Sequence, residues 1–100
     1  MAPAILQLEI TRISRLLQSF QLDTNFHNAL VKVRFELKSF VECLEKTTRA
    51  QVESNCAVHL QNALIYMPAT IETLDQTTRE TLDYILDRIK YLNERIKFIY

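Results

Sequence analysis

Apolar residues recur along this chain at alternating intervals of three and four positions, which is the pattern of amphipathic α-helices. The pattern falls into four blocks, and each loss of pattern or change of phase predicts the end of a helix. The predicted helices cover about residues 3–20, 24–46, 49–66 and 69–99. Because short loops favour antiparallel neighbours, the sequence predicts an all-α fold, an up-down-up-down four-helix bundle.

Residues at the helix ends support these boundaries. Pro3 suits the first helical position, where its missing N–H would have no partner in any case. Asp23 or Thr24 can accept hydrogen bonds from the first N–H groups of the second helix. The sequence TRAQ at positions 48–51 matches a capping box at the start of the third helix, and Pro68 disfavours its continuation.

The last helix has two alternative descriptions. Its apolar positions keep one phase when they are traced by sevens from Ile99 through Ile85 to Ile71, which favours one continuous helix over 69–99. Against this, the sequence TTRE at positions 77–80 matches a capping box of its own. A continuous helix would also span about 46 Å, against about 34 Å for the second helix. We expect a continuous or slightly bent helix, with a break near 76–78 as the alternative.

Composition agrees with a helical fold and a single domain. The 100 residues include no glycine and only two prolines, so the usual residues of hairpin turns and phosphate-binding loops are missing. Hydrophobic residues at 48% and charged residues at 24% are ordinary values for a folded domain. We therefore expect one domain over residues 1–100, either complete or part of a longer chain.

The balanced charge and the lack of recognisable targeting signals predict an intracellular, cytoplasmic protein. Twelve Lys and Arg residues balance twelve Asp and Glu residues, so no net field attracts nucleic acid or an anionic membrane, and we expect neither as a partner. No apolar run approaches the roughly 18 residues of a membrane span, and the N-terminal stretch lacks the features of a signal peptide. In such a protein Cys43 and Cys56 are expected to remain free thiols.

The patterns that could carry catalysis or bind a metal are incomplete. Cys56 and His59 lie three positions apart on one helical face, but zinc needs about four ligands, and Cys43 supplies only one more. His59 could accept a phosphoryl group, yet phosphotransfer domains usually have lysine and glycine after the histidine, where Asn62 and Ala63 stand here. We predict no enzymatic activity, no cofactor and no metal. A phosphotransfer-like or metal-binding bundle that uses His59 or Cys56 is the alternative function.

The helices carry more apolar surface than one core requires. On a helical wheel the apolar arc of the last helix spans about 200°, whereas a stripe that faces the core needs about 100°. Arginine and tyrosine lie within this arc, and both are residue types that carry binding energy at interfaces. Glu9 lies on the apolar face of the first helix, and its carboxylate is expected at the end of the bundle, in contact with water or a partner.

Two interpretations account for this surplus. Either the central helices each touch two neighbours, or the extra faces meet another chain. We favour the second, and predict a non-enzymatic protein interaction module that self-associates as a homo-oligomer or binds a helical partner. The predicted partner-binding residues are Tyr84, Ile85, Arg88, Tyr91, Leu92, Arg95 and Phe98 in the last helix, Val31 and Phe35 in the second, and Val58 and Ile65 in the third.

Overall fold

A computed structural model describes residues 3–20, 24–48, 51–68 and 74–96 of the chain. Within these ranges the protein forms four α-helices, which are α1 (Pro3–Gln18), α2 (Thr24–Lys46), α3 (Val52–Tyr66) and α4 (Gln76–Arg95). Helix α2 packs against α1 and α3, and α3 also packs against α4. The predicted all-α four-helix bundle is therefore confirmed.

The core is built from one apolar stripe on each helix. Burial of each large side chain in it stabilises the fold by about 1.5–3 kcal/mol relative to its exposure. The largest fully buried side chains are Phe40, Leu6, Ile10, Ile13, Leu37, Leu60, Leu82, Ile85, Ile89, Leu92 and Val33. Within α1, α2 and α4 these residues follow one another at the three- and four-residue intervals of the periodic pattern, and in α3 the buried Cys56, Leu60 and Ala63 do the same. The stripes read from the sequence therefore face the interior.

Helix α1 ends at Gln18, slightly before the predicted end at residue 20. The Ser19 N–H donates to the carbonyls of Arg15 and Leu16, at 3.2 and 3.1 Å. The Ser19 hydroxyl also donates to the Leu16 carbonyl at 2.7 Å. These bonds satisfy carbonyl groups in the last turn of the helix, and they close the turn before Phe20.

Helix α3 begins at Val52, whereas the prediction placed its start at residue 49. The Gln51 N–H, just before the helix, donates to the Thr48 carbonyl at 2.9 Å. Residues 49–50 lie outside the described ranges. At the other end the Met67 N–H donates to the Ala63 carbonyl at 3.1 Å, and Pro68 follows, as the sequence predicts for the end of this helix.

Helix α4 begins at Gln76, so the preferred description of one continuous helix over 69–99 is wrong at residues 74–75. Asp75 has an extended backbone and is the N-cap. Its carboxylate accepts the Thr78 N–H at 3.0 Å and the Thr78 hydroxyl at 2.7 Å, which satisfies a donor at the helix start. The non-helical residues 74–75 lie just before the predicted alternative at 76–78, and Asp75 takes the role predicted for Thr77. Residues 69–73 and 97–100 are not described.

A disulfide joins the two cysteines and connects α2 to α3. Cys43 lies near the end of α2 and Cys56 near the start of α3, with their Cα atoms 5.7 Å apart, a separation that suits a disulfide. The expectation of free thiols is therefore wrong. Its basis was the usual redox state of cytoplasmic proteins, whereas the antiparallel pairing of α2 and α3 sets these two positions opposite each other. The intracellular location stays a prediction.

Candidate protein-binding surfaces

Tyrosine and arginine alternate along one stripe of α4. Tyr84, Arg88, Tyr91 and Arg95 follow each other at intervals of four, three and four residues, which keeps them on one side of the helix. The guanidinium carbon of Arg88 lies 4.7 Å from the centroid of the Tyr91 ring, and that of Arg95 lies 5.4 Å from it. Both distances are within cation–π range. The Tyr91 ring is therefore held by two cations, one turn before it and one turn after it.

An ion pair connects this stripe to α1. The Nε and Nη2 atoms of Arg88 lie 2.6 and 2.5 Å from the same carboxylate oxygen of Glu9, Oε1. Both side chains are partly buried, and the pair is therefore less screened by water than an ion pair on the open surface. The sequence placed Glu9 at the end of the bundle. In the structure it lies in the middle of α1 and contacts a residue of the same chain.

A groove of about 450 Å³ lies between α1 and α4 beside this ion pair. We call it the α1/α4 groove, and its lining residues are Ile5, Leu8, Glu9, Arg12, Ile13 and Leu16 of α1 with Tyr84 and Arg88 of α4. Ile5, Leu8 and Tyr84 are exposed large side chains, with Leu8 at 69%. Single exposed apolar residues are common on proteins, but several in one groove are typical of a binding surface.

A second groove, of about 430 Å³, lies on the other flank of α1. We call it the α1/α2 groove, and it is lined by Ile10, Thr11, Ser14 and Gln18 of α1 with Val31, Arg34, Phe35, Lys38 and Val41 of α2. Val31 and Phe35 are exposed, Phe35 at 66%. Arg34 and Lys38 bring two positive charges to the groove, and no residue in this lining set carries a carboxylate.

The predicted partner-binding residues fall into distinct environments. Those exposed to solvent are Tyr84, Tyr91, Arg95, Val31, Phe35, Val58 and Ile65. Arg88 is partly buried against Glu9. Ile85 and Leu92 are 0% exposed and belong to the core, because the wide apolar arc of α4 divides into a half that faces inward and a half that faces outward. Ile85 and Leu92 are therefore not part of the candidate surface. Phe98 lies outside the described residues.

Glu36 is a buried carboxylate between α2 and α3 that was not predicted from the sequence. Glu36 is 9% exposed, and its Oε2 lies 2.9 Å from His59 Nδ1 while its Oε1 accepts from Asn62 Nδ2 at 3.4 Å. Burial of a carboxylate is costly unless it is paired, and here both oxygens have partners. The sequence does contain a signal for the burial of Glu36, since position 36 follows Val33 by three and precedes Phe40 by four on the core stripe of α2.

These contacts bear on the alternative function. The Cys56 sulfur is bonded to Cys43, so it offers no thiolate to a metal. His59 is fixed through Nδ1 by the Glu36 carboxylate, which gives this histidine a partner inside the bundle. Across the described ranges, no group of three or more His, Cys, Asp or Glu residues is placed to hold a metal ion.

Of the helices that the structure describes, none has the length and apolar character needed to cross a membrane. Comparisons with protein-family models, with curated proteins and with solved structures found no match to this chain. The geometry of the two grooves is therefore the basis for a functional assignment.

Proposed function

We propose that this protein is a non-enzymatic interaction module that binds a helical segment of another protein, or of a second copy of this chain, at the α1/α4 groove. The observation that supports it is the stripe of Tyr84, Arg88, Tyr91 and Arg95 beside the exposed apolar wall of α1. Tyrosine and arginine dominate the energetics of many protein interfaces, because each combines a large contact area with polar groups that orient the partner.

The stacked arginines favour this role further. Side chains that become fixed on binding lose rotamer freedom, at a cost of about 0.5–1.5 kcal/mol each. Arg88 is already held by Glu9 and by the Tyr91 ring, and Arg95 is held by the same ring. Less entropy therefore remains to be lost when a partner arrives, so the stripe is partly preorganised for contact.

The dimensions of the groove suit a helix. Its α1 wall runs from Ile5 to Leu16, which corresponds to about 16 Å or three helical turns. A partner helix of that length places apolar side chains at intervals of three and four along one face. These side chains pack against Ile5, Leu8 and Tyr84, while Arg12 at the rim can contact polar groups of the partner.

A pair of matched tyrosine variants tests this function. Tyr91→Glu puts a charge on the α4 stripe, and Tyr66→Glu puts the same charge on α3 at a tyrosine of similar exposure, 37% against 40% for Tyr91. We expect Tyr91→Glu to abolish the capture of a partner from extracts of the source cells, or to abolish self-association measured by size-exclusion chromatography with light scattering. Tyr66→Glu should retain either one.

Circular dichroism is needed to show that both variants fold, since only folded variants can be compared. A folded Tyr91→Glu protein that captures the same partner, and has the same oligomeric state as the wild type, would refute a role in binding for the α4 stripe beside the α1/α4 groove. The light scattering of the wild type also separates the two kinds of partner. A dimer indicates a second copy, and a monomer that captures another chain indicates a heteromeric partner.

A further inference from the structure

We propose that the α1/α2 groove is a second docking site, selective for an acidic amphipathic helix of another protein. This site lies on the opposite flank of α1 from the α1/α4 groove, and none of the residues that line one groove lines the other. It therefore goes beyond the function proposed above, and each site can be disrupted without the other.

The apolar part of the α1/α2 groove has a floor and a rim. Ile10 is buried at the base, and Val41 is partly buried beside it. Val31 and Phe35 follow each other at an interval of four on α2, so they project from neighbouring turns of its outer face. Burial of an exposed phenylalanine and an exposed valine by a partner removes apolar surface from water. A helix with apolar residues one turn apart matches this spacing.

The charged part of the groove determines the sign of the charge that a partner must carry. Arg34 and Lys38 are also four residues apart, so their Cα atoms are about 6 Å apart along the axis of α2 and their side chains lie on the same face. Like charges at this spacing repel each other. Among the described residues neither has a carboxylate within ion-pair distance. Glu42 lies one turn beyond Lys38, but it does not line the groove.

An acidic helix completes both parts of this surface. Two carboxylates one turn apart on the partner can each approach one cation of the groove, which relieves the repulsion between Arg34 and Lys38 and adds charge-assisted hydrogen bonds. Thr11, Ser14 and Gln18 form the opposite wall and are uncharged, so nothing there repels a carboxylate. A basic helix would meet two like charges, and a nucleic-acid duplex presents phosphates but no apolar stripe to match Val31 and Phe35.

An unbiased selection tests the inference. A library of helical peptides with randomised surface positions is selected for binding to the wild-type protein, with the Phe35→Ala variant as the counter-selection target. We expect the enriched peptides to carry Asp or Glu at intervals of three or four, next to an apolar stripe. The dissociation constant of one enriched peptide is then measured by fluorescence anisotropy for the wild type and for the variants.

Two double variants with the same loss of charge provide the comparison. Arg34→Gln with Lys38→Gln should weaken binding about tenfold, as expected for two partly exposed charge contacts, and the wild-type affinity should fall at high salt. Arg79→Gln with Lys90→Gln removes two cations from α4, outside the groove, and should change the affinity less than twofold. Tyr91→Glu should also leave it unchanged, because that residue belongs to the other surface.

Each contrary result has a defined meaning. If the enriched peptides carry no acidic pattern, or if both double variants weaken binding equally, the charge selectivity is wrong. If no peptide distinguishes the wild type from Phe35→Ala, the α1/α2 groove is not a docking site. If light scattering shows a dimer that Arg34→Gln with Lys38→Gln dissociates, the occupant is a second copy and the proposal of another protein is overturned. None of these results decides the role of the α1/α4 groove.

Discussion

Reduction of the Cys43–Cys56 disulfide is expected to lower the stability of the bundle while leaving its fold intact. The bond joins residues with a sequence separation of 13. In the chain-entropy model, the loss of a cross-link across a loop of this size costs about 3 kcal/mol, because the unfolded chain regains the freedom that the loop had removed. The apolar contacts between α2 and α3, such as those around Phe40 and Leu60, do not depend on the bond.

This cost is large enough to measure in a urea titration. A domain of this size has a denaturant dependence of about 1.5 kcal/mol per molar urea, so a loss of about 3 kcal/mol lowers the unfolding midpoint by about 2 M. Small domains are stable by about 5–15 kcal/mol in total. The reduced protein is therefore expected to be folded without urea and to unfold much earlier than the oxidised protein.

The assay compares far-ultraviolet circular dichroism with and without a phosphine reductant, after mass spectrometry of the alkylated protein has established the redox state. The Cys43→Ser, Cys56→Ala double variant is the control, and it should unfold near the midpoint of the reduced protein and be insensitive to the reductant. A fully oxidised sample that keeps its midpoint after complete reduction would contradict the entropic estimate. Alkylation of both cysteines in the native protein without reductant would contradict the disulfide itself.

Two further predictions concern polar contacts at helix boundaries and interfaces. Hydrogen bonds from the Thr78 N–H and hydroxyl hold the pKa of the Asp75 carboxyl below its usual value of 3.8, so the cap stabilises α4 above that pH and is lost as the pH falls through the lowered pKa. Asp75→Asn should therefore reduce the loss of melting temperature between about pH 5 and pH 2, and an unchanged pH dependence would exclude this role. His59→Leu should cost about 1–3 kcal/mol, because it leaves the Glu36 carboxylate short of a partner. In urea titrations the addition of Glu36→Leu should recover part of that loss, whereas simple additivity of the two single variants would show that the groups are not coupled.

The interior of each helix could be predicted from the sequence because it depends on local periodicity. Helix α2 illustrates this, since its observed limits, Thr24–Lys46, are those predicted from its apolar stripe. The first residue of α4 is harder to predict from the sequence, because Asp75 and Thr77 are both good capping residues and the periodic pattern continues across them. Only the backbone geometry at Asp75, which allows its carboxylate to accept the Thr78 N–H, selects one of the two.

Contacts between helices could not be predicted in the same way. The pairs Glu9 with Arg88, Glu36 with His59 and Cys43 with Cys56 all join residues on different helices. The pattern on one helix shows which face is buried, but it leaves open how far a neighbour is shifted along the axis. The same uncertainty affected the candidate surface on α4. The sequence shows that the apolar arc of α4 is too wide for one core stripe. Its division into buried and exposed residues, however, depends on where α1 and α3 pack.

The distribution of charge explains how a chain with no net charge can still select an acidic partner. The α1/α2 groove is lined by Arg34 and Lys38 alone among charged residues, whereas the exposed acidic residues of α4 are Glu80, Asp83, Asp87 and Glu94. Helices α2 and α4 are diagonal in the bundle, because α2 packs on α1 and α3 while α4 packs on α3 and pairs with α1. The bundle is 20 × 19 Å across, and charges in physiological salt are screened over about 8 Å. A helix at the groove therefore experiences the two nearby cations much more strongly than the carboxylates of α4, and the zero net charge of the sequence does not predict its affinity.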